Sequence, residues 1–388
     1  MKGGRVAIAA GLAQWPRAGG HTWFGLQYLL GFRKLGWDVM LIDRLDAEMC
    51  RSRSGAPCAP ENSANLAYLA DVMERFGMAE SWTVLLPDDD SAGLPRAEVK
   101  RRLASSDLLL NVMGYLDDED LLAVSPLRVF LDVDPGFAQM WHELLLADLF
   151  AGHDRFVSVG LNVGSADCRV PDCGLRWIPT PPPVDLDHWP VAEQGTAFTS
   201  VASWRGPYDP VEYEGHTYGL RAHEFRRFVA LPRRTSAELR IAMSIDASDV
   251  LDLQRLSAAG WTLLDPALVA ADPVAYNRFI QGSGAEFTVA KGMYVDTRSG
   301  WFSDRSACYL ASGKPVIAQQ TGFGSHLPTG EGLIPFTTLE EAVGGVEEAR
   351  ADPGRHSRAA REIAEEHLDS TRVLERLVDQ LGRERVGV

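Results

Sequence analysis

Short apolar runs alternate with stretches of helical spacing along most of the chain. Runs of this kind read as buried parallel strands, and the spaced stretches as the helices that cover them. Arg5–Ala10 is predicted as the first strand, followed by a glycine-rich turn. Thr22–Leu35 then carries Phe24, Tyr28, Phe32 and Leu35 at helical intervals and stops at Gly36. Further strands are expected at Trp37–Asp43, Trp82–Leu86, Asp107–Val112, Leu127–Val133 and Arg155–Gly160, with helices at Asn62–Phe76 and Gln139–Leu149.

The pattern breaks at Trp177–Pro190, where Pro179, Pro181, Pro182 and Pro183 exclude a helix or a central strand. It then restarts. Strands are predicted at Phe198–Ser203, Leu239–Ser244, Trp261–Leu264, Phe287–Ala290 and Pro315–Gln319. Helices are predicted at Leu220–Ala230, Asp249–Ala259, Pro273–Gly282, Asp304–Ser312 and Leu339–Ala349, with a long charged helix or helix pair over Arg355–Gly382. The fold class is therefore α/β. Its expected domains are residues 1–185, 186–370 and a C-terminal helix at 371–388. Ligands of such sheets bind beyond the carboxyl ends of the strands, so two facing halves place the site in the cleft between them.

Composition narrows the function. Hydrophobic residues are 46% and charged residues 23% of the 388, an ordinary globular balance that excludes disorder. The formal net charge of −15 repels phosphate backbones and anionic membranes, so neither nucleic acid nor a membrane surface is the expected partner. A small anionic ligand needs local basic residues. No apolar run is long enough for a membrane span, and Val6–Ala10 is too short for a secretion leader. Five cysteines, an odd number, point to reduced thiols and a cytoplasmic home; Cys168 and Cys173 have no histidine at zinc-finger spacing. The acidic stretches Asp88–Asp90 and Asp117–Asp120 read as solvated loops.

Five places carry candidate chemistry. After the first strand, Gly19 and Gly20 allow close backbone approach, Thr22 is the expected N-cap, and His21 stands at the cleft mouth as a neutral base. At the end of the strand Leu127–Val133, Asp132 and Asp134 spell D-x-D, which either holds a divalent ion or closes the strand in an Asp-Pro turn. In the segment 285–324, Ser303 is the expected N-cap of a helix opening at Asp304, with Lys291, Arg298 and Arg305 supplying positive charge. A second glycine turn follows at Thr321 and Gly322, so two backbone cradles suit a diphosphate. Arg205 follows the first strand of the second half, with the loop Pro207–Tyr218 as a lid, and Gly260–Pro266 offers backbone for a planar base.

The stretch SDRSACYLASGKPVIAQQT at Ser303–Thr321 resembles the R-x-x-E-A-x-A-x-G-x-P-V-V segment of group 1-type glycosyltransferases of the GT-B fold. The opening GGHTWFGLQYLLGFRKLGWDVMLID is similar to that family's G-G-H…L-x-x-L-G-H-x-V. The resemblance implies two facing Rossmann-like domains with a C-terminal helix crossing back. It implies an acceptor on the first domain and a nucleotide sugar on the second. It also implies donor contacts from Ser303, Arg305 and the amides around Asp304, phosphate binding by Arg205 and Lys291, and His21 as a base or an acceptor-side contact. Beside it, Thr321 and Gly322 are read as further donor contacts, Gly19 and Gly20 as the acceptor-side loop, and Asp134 as the second choice of base. The family's ribose-binding glutamate falls at Cys308, a departure.

The leading expectation is a metal-independent glycosyltransferase moving a sugar from a nucleotide diphosphate sugar to a small-molecule acceptor, with no cofactor beyond that co-substrate. Trp15, Trp23, Phe24, Phe137 and Trp141 suit a hydrophobic acceptor and suit core packing equally. The competing readings are a nucleotide-sugar 2-epimerase, a metal-dependent transferase using Asp132 and Asp134, and a non-catalytic nucleotide-sugar-binding or scaffold protein.

Overall fold

In the computed structural model, which describes residues 3–193 and 195–383, the chain builds two sheets in succession. The first has eight strands in the order Ser91–Gly93, Trp82–Leu85, Asp38–Arg44, Arg5–Ala9, Leu108–Val112, Arg128–Asp132, Arg155–Ser158, Trp177–Pro179. All neighbours are parallel except the short Ser91–Gly93 edge. The second has six parallel strands in the order Thr262–Leu264, Leu239–Ser244, Phe198–Ser203, Ala285–Thr288, Val316–Gln319, Leu333–Phe336. Counted along the chain that is 3-2-1-4-5-6, the order of dinucleotide-binding sheets, and the crevice opens where Phe198–Ser203 meets Ala285–Thr288.

The central strands are apolar runs because helices cover both faces; every residue of Leu108–Val112 is buried. Helix ends follow the local chemistry. The Ser63 hydroxyl accepts from the Leu66 amide, Asp272 accepts from Val274 and Ala275, and Gly260 takes the left-handed conformation, φ 101°, that stops Val250–Ala259.

Helix Gly19–Lys34 is buried on nearly all sides. At its start the Gly19 amide donates to the Ala270 carbonyl at 2.8 Å, and the Trp23 indole donates to the Pro273 carbonyl at 2.7 Å. At its end Gly31 faces the returning helix Ser370–Arg383: a Cβ there would lie 2.7 Å from Leu374 Cδ1. The return is fixed by Val184, which bonds Leu368 and Ser370 at 2.8 and 2.9 Å. Residues 384–388 of the predicted C-terminal segment lie outside the described residues.

Several boundaries differ from the sequence reading. Trp177–Pro179 is the edge strand of the first sheet, where a proline lacks no needed partner. The helix expected at Gln139–Leu149 is Phe137–Glu143, capped at Leu144 and followed by Leu145, whose φ is 56°. The expected helix Leu220–Ala230 is only Arg221–Phe225 followed by tight turns. The expected strand Phe287–Ala290 is Ala285–Thr288. The loop 207–218 holds a hairpin, Val211–Tyr213 with His216–Tyr218, whose turn residues Glu214 and Gly215 both have positive φ. The C-terminal region is Pro353–Ile363, a π-type turn at Ala364–Leu368, and Ser370–Arg383.

Candidate active site

At the switch point of the second sheet, a buried arginine spans the crevice. Arg221 opens its short helix and is 7% exposed. Its Nε donates to the Val289 carbonyl and its Nη1 to the Ser203 carbonyl, both at 2.9 Å. Those carbonyls lie at the end of one central strand and one residue past the end of the other. The other terminal nitrogen makes no hydrogen bond to a described residue. Burial pulls the Arg221 guanidinium down to about 10, and Arg305 nearby acts the same way. It still carries full charge at neutral pH.

Lys291 stands on the same crevice. Its ammonium is 2.6 Å from Asp134 Oδ1, a carboxylate that follows the sixth strand of the first sheet. It also lies over the rings of Phe137, Tyr294 and Tyr208 at 5.0, 5.3 and 5.5 Å. Burial lowers the Lys291 pKa while Asp134 raises it. The Tyr294 hydroxyl donates to the same Asp134 oxygen. Asp134 is thus held by two groups of the second domain, its charge balanced by Lys291 and its oxygen hydrogen-bonded by Tyr294. Helix Asp304–Ala311 begins nearby and presents the amides of its first turn, as helix N-termini do.

His21 faces this crevice from the first domain. Its ring is reachable by solvent yet its pKa is lowered by burial, which places it on the wall of a cleft. The carboxylates whose charge reaches it are Asp304 and Asp134. Its Nε2 is 2.8 Å from the Gly11 carbonyl. A carbonyl only accepts, so Nε2 carries the proton and the neutral ring keeps a free lone pair on Nδ1.

Other expected site residues are placed differently. Arg305 turns inward: Nε to Glu286 at 2.5 Å, Nη1 to the Val201 carbonyl at 2.8 Å, and Nη2 to the Thr288 hydroxyl at 2.6 Å. Each of its three nitrogens is thus engaged within the second domain. Ser303 occupies the N-cap position without a side-chain cap bond, and the Asp304 carboxyl, raised by burial, is the one near the helix amides. Thr22 lies inside the first helix, bonded to the Ala18 carbonyl and the Tyr68 hydroxyl at 3.2 and 2.7 Å, because that helix starts at Gly19.

Gly19 and Gly20 admit the second domain, since a Cβ on Gly20 would be 2.8 Å from the Tyr276 ring. Arg205 is half-exposed and pairs with Asp249 through two nitrogens rather than joining Lys291. The Thr321 hydroxyl donates to the Trp301 carbonyl at 2.6 Å, and Gly322 packs against Asn162. Asp132 does not form a metal pair with Asp134. The strand ends at Asp132, which turns inward to Ser158, Gln139 and the Asp134 amide at 2.7, 2.8 and 3.1 Å. Cys308, at the position of the family's ribose glutamate, is buried with Gln27 Nε2 at 3.5 Å. All five cysteines are free thiols.

Arg221 and Tyr294 were not singled out from sequence. Tyr294 lies three positions beyond Lys291 within the analysed segment, and Glu286 is the acidic partner a buried arginine requires. Arg221 had no signal beyond a basic residue after a glycine. A surface depression beside Glu193, Asn277 and Arg278 lies at the amino ends of the second sheet, opposite this crevice. The site is assigned to the cleft, where the charges converge.

The two sheets, their facing crevices and the returning helix match known structures over nearly the whole chain. This is the GT-B fold. An α-glucosyltransferase in complex with UDP-glucose and DNA containing an abasic site superposes with a TM-score of 0.59 at 12% identity, covering 98% of this chain and 100% of that one. Sucrose-phosphate synthase from Thermosynechococcus elongatus gives 0.54 at 12% identity, with the same coverage of both chains. Anabaena HepE in complex with UDP and glucose gives 0.57 at 11%, again covering 98% and 100%. No protein-family model matches the sequence, and no curated protein matches it significantly. Among the described residues, no helix of this GT-B chain is long and apolar enough to cross a membrane.

Proposed function

We propose that the chain is a metal-independent glycosyltransferase that moves a sugar from a nucleoside diphosphate donor to a small-molecule acceptor. The observation that carries this reading is the pairing of two buried cations, Arg221 and Lys291, at the switch point, facing a neutral histidine across the cleft. On an acidic chain such a local convergence offers an anionic ligand a seat once Lys291 leaves Asp134. The GT-B structures with UDP and UDP-glucose make a uridine diphosphate sugar the first donor to try.

Arg221, Lys291 and the first-turn amides of Asp304–Ala311 receive the charge that grows on the leaving diphosphate. Lys291 exchanges Asp134 for phosphate in doing so. His21 Nδ1 takes the acceptor hydroxyl proton while that oxygen bonds the anomeric carbon and the carbon–phosphate-oxygen bond breaks. Contacts between the domains, including Asn162 Nδ2 to the Arg298 carbonyl at 2.9 Å, keep water out. One neighbour is bound to DNA, but a net charge of −15 favours a small acceptor here.

The test is UDP release from UDP-glucose with a panel of hydroxyl acceptors, in EDTA. We expect release that depends on an acceptor, a product of inverted anomeric configuration by NMR, and loss of turnover in His21→Ala. Release of UDP from donor alone with formation of a 2-epimer contradicts the reading, and a retained anomer removes His21 as the base.

A further inference from the structure

The support of His21 runs back through the chain to a carboxylate in the core of the first domain. Asp43, near the end of strand Asp38–Arg44, is 0% exposed. Its Oδ2 accepts the Ala13 amide at 2.5 Å, and its Oδ1 accepts the Arg44 amide at 2.7 Å and the Tyr115 hydroxyl at 2.5 Å. The Tyr115 ring leans on the same turn, since a Cβ on Gly11 would lie 2.8 Å from it. Asn65 Nδ2 donates to the Ala13 carbonyl at 2.9 Å. The turn Gly11–Ala13 is thereby held from three sides, and its Gly11 carbonyl is the acceptor for His21 Nε2 at 2.8 Å.

Three donors converge on Asp43 and none of its contacts needs a donor in return. Only an acceptor-only group satisfies all three; an amide would turn its NH2 toward one of them. A buried carboxylate is a costly way to fix a turn, and burial raises Asp43 to about 6 against the pull of Tyr115 and the amides. The cost is justified where the turn must present one carbonyl in one direction.

We propose that Asp43 is a positioning residue for His21: by fixing the Gly11–Ala13 turn it locks the proton on Nε2 and leaves Nδ1 free toward the acceptor. Its catalytic meaning rests on the reading of His21 as the base. Its geometry does not, and is measured without donor or acceptor. The experiment is nitrogen-15 NMR of the histidine rings of the full chain, with His21 assigned from His21→Gln. We expect a slowly exchanging Nε2–H and an unprotonated Nδ1. In Asp43→Asn that proton exchanges fast and the ring samples both tautomers.

Asp154→Asn, which breaks the Arg128 pair elsewhere in the same domain, lowers the Tm and keeps the signal. If Asp43→Asn does not fold, Tyr115→Phe is read instead, with faster exchange expected. An unchanged His21 signal in a folded Asp43→Asn, or in Tyr115→Phe in its place, overturns the proposal. In the transfer assay Asp43→Asn lowers kcat by roughly 100-fold and leaves the UDP Kd unchanged, as displacement of a base does. Failure of UDP to bind the wild type rejects the transferase reading and leaves the NMR result to decide the positioning role.

Discussion

Arg305 shows how far a motif carries at the scale of one residue. Its position in the helix opening and its charge suggested a phosphate ligand, yet its three nitrogens are all engaged by Glu286, Val201 and Thr288. The resemblance located the segment but not the direction of the side chain, because direction depends on Glu286, which lies on the strand Ala285–Thr288 outside the matched stretch. Arg305→Ala strands a carboxylate that is 0% exposed. We expect a loss of about 3–5 kcal/mol of stability, as when one partner of a buried pair is removed, read by urea unfolding. A variant that unfolds like the wild type but fails to bind UDP restores Arg305 to the donor site. His21, Asp134 and Lys291, singled out from sequence, come together at the crevice. Asp134 and Lys291 follow strand ends, where open sheets keep their chemistry, and His21 lies in the first turn of the helix after the first strand. Arg221 was not, since a helix of five residues, Arg221–Phe225, has no period to read.

At the scale of elements, most strands and helices were legible from alternation of apolar runs and helical spacing. The misses have local causes. Leu333–Phe336 was overlooked because its run contains Pro335, which the strand tolerates at the sheet edge. The first helix shows helical spacing, but besides the neighbouring strands it packs on Pro273–Gln281 and Ser370–Arg383, more than two hundred residues away, which no local pattern reports. That packing gives Gly20 its role. Gly20→Ala pushes a methyl against the Tyr276 ring, and we expect overpacking to cost roughly 1–3 kcal/mol in denaturant unfolding with the UDP affinity kept. Loss of UDP binding at unchanged stability places Gly20 at a ligand instead.

For the whole molecule, two dinucleotide-type sheets meet at their carboxyl ends, and the helix Ser370–Arg383 ties the second back to the first. Between them Lys291 reaches Asp134 across the cleft, so domain contact and ligand charge share one ammonium. The central claim is that this cleft binds a nucleoside diphosphate through Arg221 and Lys291 without a metal. Its most direct test is thermal unfolding against UDP, TDP, GDP and ADP in EDTA, repeated on Lys291→Met. We expect one nucleotide to stabilise the wild type, by about 2.7 kcal/mol at 100 times its Kd, and the shift to fall sharply in the variant. No shift with any of the four, or an equal shift in Lys291→Met, contradicts the account.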